Sequence, residues 1–248
     1  MTEQPKISVR NLTKVFDDEL LVLDHMSFDI NKGDFVCIVG PTGCGKTTFF
    51  NLLVKLLEPT EGCILIDGEP ADPKKHDISF VFQEPSTFPW LTVEENIKFN
   101  MKLKHMDKKE MQERTDWILN LIGLTQQRNS YPGELSVSAE QRVVIGRSFA
   151  VHPDLLLMDE PYGQMDIKVR YYLEDEVLKL WEKTGSTVLF ITHNIEEAIY
   201  LSQKCIVLSQ KPTTIKTIVK NPLPYPRNVS DPEFIRLRER ITDMIKWW

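Results

Sequence analysis

The chain has 248 residues, of which 42% are hydrophobic and 27% charged, so it can bury a full core as one large domain or two lobes. Its net charge of −6 argues against nucleic acid as the partner, because phosphate-backbone binders are usually basic. No apolar run approaches bilayer length, residues 1–10 lack the apolar stretch of a secretory signal, and Cys37, Cys44, Cys63 and Cys205 form no C-x-x-C pair, so a reduced, cytoplasmic setting is expected.

Residues 6–12 alternate apolar and polar side chains, as a half-buried strand does. Residues 26–30 read as a second strand, which Asn31-Lys32-Gly33-Asp34 turns into a third, the apolar run Phe35 to Val39. Phe16, between the first two, either stacks on a purine or is an edge core residue. Next comes Gly40-Pro41-Thr42-Gly43-Cys44-Gly45-Lys46-Thr47, which fits the phosphate-binding pattern G-x-x-x-x-G-K-[ST]. A helix is expected from Thr48 to Leu57, ending before Pro59. The loop thus joins a strand to a helix N-terminus, where unpaired N–H groups and the helix dipole favour a polyanion. Gly43 and Gly45 let the backbone turn and approach phosphate, Lys46 reaches the β- and γ-phosphates, and the Thr47 hydroxyl sits on Mg²⁺. Cys44 lies near that helix N-terminus, a position that tends to lower a thiol pKa; the plainer alternative is a small residue that fits.

Gly62 to Asp67 reads as a strand with Asp67-Gly68 as a turn, and Ile78 to Phe82 as another strand ending at Gln83. The segment 84–90 is extended and holds two prolines and two aromatics, which suits either a partner contact or a packed loop. From Thr92 to about Ala150 the chain turns helical, with Asp107 and Glu110 resembling a capping box and Gly123 as a stop. Leu155-Leu156-Leu157-Met158-Asp159-Glu160 is a buried strand ending in two carboxylates, with Asp159 placed to help hold Mg²⁺ and Glu160 to face an attacking water. Val169 to Lys183 is an amphipathic helix ended by Gly185. Thr187 to Ile191 is a strand, and His193 at its C-terminal end falls where ligands collect in α/β folds. Ile206 to Ser209 and Thr214 to Val219 are late strands. A proline-rich stretch then leads into a final helix whose stripe, Phe234, Leu237, Ile241, Met244 or Ile245, and Trp248, most simply packs back on its own domain.

Together these residues resemble the ATP-binding subunit of ABC transporters over nearly the whole chain. The loop at 40–47, Gln83 at a strand end, the Asp159-Glu160 pair and His193 occur in that family's order and at about its spacing. The resemblance implies an α/β fold: a P-loop NTPase core with a mostly parallel sheet, an N-terminal antiparallel β part and an inserted helical lobe. It divides the chain into a core at 1–91 and 151–220, a helical subdomain at 92–150, and a tail at 221–248. It implies that ATP is held by Phe16 on the adenine, by Gly40, Pro41, Thr42, Gly43, Cys44, Gly45, Lys46, Thr47 and Thr48, and by Ser136 of the signature. Mg²⁺ is expected on Thr47, Gln83 and Asp159. Glu160 looks like the general base, His193 like the switch histidine of the γ-phosphate, Gln83 like the sensor of metal and permease, and Asp166 like the D-loop aspartate of the dimer interface. Residues 89–96, Tyr131-Pro132-Gly133-Glu134-Leu135-Ser136 and the Arg-rich final helix are similar to importers of nitrate, sulfonate, taurine and related solutes. The implied partners are membrane-spanning permease subunits, a second ATP-binding subunit in a homo- or heterodimer, and indirectly a solute-binding protein. The implied place is the cytoplasmic face of the cell membrane, bound peripherally.

One departure stands out. The family's L-S-G-G-x-x-Q-R is here Leu135-Ser136-Val137-Ser138-Ala139-Glu140-Gln141-Arg142, with both glycines gone. If Val137 had to take a positive φ, its branched side chain would resist. The expectation is an ATPase that energises import. The alternative is a nucleotide-binding subunit with a degenerate signature, weakly active or active only beside a second ATPase subunit. A repair or translation ATPase of the same family would carry long coiled-coil insertions or tandem cassettes. A small-molecule kinase would not carry Gln83, the signature remnant and His193 in that order.

Overall fold

A computed structural model describes residues 4–17 and 19–245. The chain forms two compact units, Met1–Asp77 with Thr187–Trp248, and Ile78–Ser186.

The first unit opens with an antiparallel sheet in the order β2-β1-β4-β5, made of β1 (Ile7–Phe16), β2 (Leu20–Ile30), β4 (Glu61–Ile66) and the short β5 (Glu69–Pro70). β1 and β2 are longer than their alternation indicates. Asn11 and His25 take φ of 45° and 44°, and the β1–β2 register shifts between Val9 and Leu12, so a bulge breaks the period without ending the strands. The same unit holds β3 (Phe35–Val39), β8 (Thr187–Ile191), β9 (Lys204–Leu208) and β10 (Ile215–Lys220). β3 pairs in parallel with both β8 and β9, and β10 runs antiparallel to β9. Every residue of β3 and β8 is buried, as expected of parallel strands covered on both faces.

Three helices complete this unit: α1 (Lys46–Leu53), α6 (Ile195–Leu201) and α7 (Pro232–Ile245). α1 stops four residues short of the expected Leu57. Lys55 enters the left-handed region at φ 55°, and the N–H groups of Leu56 and Leu57 turn back to the Asn51 carbonyl at 2.8 and 3.1 Å. Phe49 of α1 meets Phe28 of β2 at 5.5 Å between ring centroids, tying the helix to the antiparallel sheet. α7 buries Phe234, Leu237 and Ile241, so the tail stripe packs within its own unit; Trp248 lies outside the described residues.

The second unit pairs β6 (Ile78–Val81) in parallel with β7 (Leu155–Asp159). Between them in sequence lie α2 (Val93–Leu103), α3 (Lys108–Leu121) and α4 (Val137–Phe149), and α5 (Ile167–Thr184) follows. α2 begins with a capping box in which Thr92 accepts from Glu95 N and the Glu95 carboxylate accepts from Thr92 N. Asp107 caps α3 through the N–H groups of Lys109 and Glu110. Gly185, at φ 66°, ends α5. Among the described residues no helix is long and apolar enough to cross a membrane.

Candidate functional site

In the first unit two neighbouring parallel strands end side by side. Ile38 of β3 stands opposite Ile191 of β8, and Thr192 N donates to Ile38 O at 3.3 Å. The loop from Gly40 and the turn carrying His193 therefore leave the same edge, the C-terminal edge where α/β sheets place ligands. His193 is exposed there. Asn194 behind it caps α6, accepting from Glu196 N at 3.0 Å and Glu197 N at 3.4 Å.

The loop itself is shaped by Gly45, which has φ 106°; a Cβ there would lie 2.8 Å from Val22 Cγ1. Only glycine satisfies both conditions. From below, Thr213 Oγ1 donates to the Cys44 carbonyl. Lys46 is 6% exposed, and its ammonium donates to the carbonyls of Gly40 and Pro41, both at 3.1 Å. α1 has no side-chain cap and no acidic residue in its first turn, so its unpaired N–H groups and dipole act with Lys46 in favour of an anion. Thr47 is exposed, while Pro41 and Thr48 are half-buried. Cys44 is 2% exposed, and burial pushes its thiol up despite the Lys46 ammonium. The thiol-lowering effect of the helix N-terminus thus loses to desolvation, and Cys44 is the small residue that fits. Phe16 ends β1 half-buried, with Lys14 Nζ 5.0 Å from its ring centroid.

The second unit repeats the arrangement with other chemistry. Val81 of β6 stands opposite Met158 of β7, so Asp159 ends β7 and Gln83 and Glu160 lie just past the same end of the strand pair. Asp159 is 2% exposed. Glu160 has φ 45°, the left-handed region that costs a non-glycine residue energy and recurs at working sites. Phe82 stacks on Phe80 at 4.0 Å, and Gln141 Nε2 donates to the Phe82 carbonyl at 2.9 Å, which fixes the backbone next to Gln83.

Ser136 caps α4 by accepting from Ala139 N at 3.2 Å. Val137 is the first residue of that helix and is 47% exposed. It does not take a positive φ, so the backbone objection to a valine at this position does not apply. Asp166 precedes α5 and is exposed.

Asn96, Arg147 and Glu140 hold the segment 84–90, and of these Arg147 carries no signal in the sequence reading. Asn96, fully buried, accepts from Phe88 N at 2.8 Å and donates to the carbonyls of Phe88, Leu91 and Thr92. Arg147 donates to Ser86 O at 2.8 Å and lies 4.7 Å from the Phe88 ring centroid. Glu140 accepts from Thr87 Oγ1 at 2.9 Å. Trp90 is left 70% exposed. The Asn96 bonds are local, whereas the Glu140 and Arg147 contacts join residues 53 and 61 apart, which no local pattern signals.

The sequence profile of the ABC transporter family matches residues 23–163. An aliphatic sulfonates import ATP-binding protein of Bacillus cereus is 38% identical over 244 residues, which cover 97% of this chain and 96% of that protein. An uncharacterized ABC transporter ATP-binding protein of Methanocaldococcus jannaschii is also 38% identical, with coverage of 97% and 91%. Among solved structures, a dimeric bacterial ABC transporter cassette superposes with a TM-score of 0.79 at 30% identity, covering 88% of this chain and all of that one. A cassette in a post-hydrolysis dimer with ADP and Pi gives 0.78 at 29% identity and the same coverage. On the profile match and these relatives, the chain belongs to the ABC transporter family as an ATP-binding subunit, a transport-coupled ATPase.

Proposed function

We propose that this ATPase energises import of a small oxyanion-bearing solute, of the sulfonate, nitrate or taurine kind, through a separate membrane permease at the cytoplasmic face of the cell membrane. The similarity to aliphatic sulfonate import proteins supports the solute class. The observation that carries the chemistry is the shared edge of β3 and β8, which sets the phosphate loop beside His193.

In this proposal Gly40 to Thr48 wrap the phosphates, Lys46 exchanges loop carbonyls for phosphate oxygens, and Phe16 stacks on the adenine. The oxygen donors Thr47, Asp159 and Gln83 suit Mg²⁺, a hard cation bound through few protein ligands and the substrate phosphates. A Mg²⁺ held by these residues would neutralise charge on the bound phosphates. Glu160 accepts a proton from the attacking water, and His193 donates a hydrogen bond to the γ-phosphate. Two such subunits form the dimer, with Ser136 of one completing the site of the other and Asp166 at the interface.

Residues 1–91 and 151–220 act as the ATP-binding core, 92–150 as a helical subdomain, and 221–248 as a tail. The segment 84–90 is the permease contact. It is pinned from behind by Asn96, Arg147 and Glu140 and presents Trp90 outward, the geometry of a rigid anchor for a partner. Trp90→Ala is expected to weaken co-purification with the permease by about tenfold while leaving ATP affinity unchanged. Full complex formation and transport by that variant would sink the contact.

A further inference from the structure

The chain beyond residue 220 is built around one short helix. α6 has seven residues and begins two positions after His193. A helix of that length does not hold its shape alone, because nucleation costs more than so few hydrogen bonds return. Its position must come from outside contacts, and the tail supplies them at both ends.

At the C-terminal end, the last carbonyls of a helix have no donors of their own. Here each is met by a tail side chain. Asn221 Nδ2 donates to Ile199 O at 2.8 Å and Ser202 O at 2.9 Å. The Tyr225 hydroxyl donates to Leu201 O at 2.6 Å. Arg227 Nη1 donates to the carbonyls of Ile199, Tyr200 and Ser202 at 2.6, 2.9 and 2.8 Å. Arg227 is 8% exposed, and its guanidinium lies 3.9 Å from the Tyr225 ring centroid and places a cation on the negative end of the helix dipole. At the N-terminal end, Arg238 of α7 donates to Glu196 in the first turn of α6 at 3.0 Å. Phe234, Leu237 and Ile241 bury the rest of that face of α7.

We infer that the tail is a positioning clamp for His193, with Arg227 and Tyr225 fixing one end of α6 and Arg238 the other. The inference rests on the proposed role of His193 at the γ-phosphate. The tail residues touch no substrate; they act by holding the helix that carries the histidine. The clamp serves the hydrolytic step and leaves nucleotide binding, a task of the phosphate loop, untouched. A misplacement of about 1 Å far from the reacting atoms is enough to slow a positioned reaction up to a hundredfold.

The test uses the full chain. Arg227 is buried, and its removal risks unfolding, so the variants are Arg238→Ala, Arg238→Lys and Tyr225→Phe. Amide exchange over Glu196–Ser202 with MgATP present is expected to speed about tenfold in Arg238→Ala, and less in Tyr225→Phe. Turnover is expected to fall about three- to tenfold in kcat with the KM for ATP unchanged, and Arg238→Lys to recover most of it. Unchanged exchange across α6 in both Arg238→Ala and Tyr225→Phe would overturn the clamp, whatever the turnover. So would an Arg238→Ala loss that is just as large in a His193→Ala background, since the effect would then not pass through the histidine. Parental turnover in His193→Ala alone would overturn the histidine assignment itself, and that result shows without any change to the tail.

Discussion

Gly45 carries two demands at once, a left-handed backbone and a tight approach to Val22 and Leu23. Gly45→Ala is therefore expected to cost about 2–4 kcal/mol of stability, from the conformational penalty and the overpacking together, measured by urea unfolding. The cysteines make the opposite point, that a helix N-terminus alone does not make a reactive thiol. Burial pushes Cys37 and Cys44 up and takes Cys205 to about 11, while Cys63 stands exposed on β4. A thiol reagent at mildly alkaline pH should label Cys63 in the native chain and the other three only after unfolding. Rapid native labelling of Cys44 would contradict that. Glu160 is the residue whose backbone best matches its proposed task. A positive φ at a non-glycine position persists only where surrounding structure enforces it, and it stands directly after the buried Asp159.

At the scale of elements, α2 is held by charge as well as by its cap. Arg128 first, and Lys98 after it, hold the Glu94 carboxyl down at about 2, from an ordinary 4.5, against the opposing effect of partial burial. Because the folded value lies below the unfolded one, this contribution is full above pH 4.5 and is lost as pH falls towards 2. Glu94→Gln should be less stable near neutrality and should lose less stability than the parent across that acid window, as read by thermal melts at stepped pH. The elements differ in how plainly the sequence announced them. β3 and β8 span the expected 35–39 and 187–191, because strands buried on both faces need no alternation. The phosphate loop is legible for the same reason of locality: its strand, glycines, lysine and helix follow one another directly. α6 escaped notice because seven residues show too little period, although Asn194 followed by Glu196 and Glu197 is an N-terminal signal. The bulges at Asn11 and His25 hid half of β1 and β2. The Arg147 support of the segment 84–90 and the Arg227 grip on α6 join side chains to carbonyls 61 and 28 residues away, which no window of sequence can display.

For the molecule as a whole, each unit gathers some of the proposed hydrolytic residues at the ends of its own parallel strands. The first has the phosphate loop and His193; the second has Gln83, Asp159 and Glu160. The altered signature is compatible with a working enzyme, since Val137 starts α4 in helical backbone and Ser136 keeps its place as the cap. On the proposed function, this chain's own residues carry hydrolysis. The direct measurement is Mg²⁺-dependent ATP turnover of the purified chain, with Glu160→Gln as the blank. The parent is expected to turn over about a hundred- to a thousandfold faster than Glu160→Gln, while both bind ATP with equal affinity. Turnover equal to that blank, with ATP still bound, would contradict it.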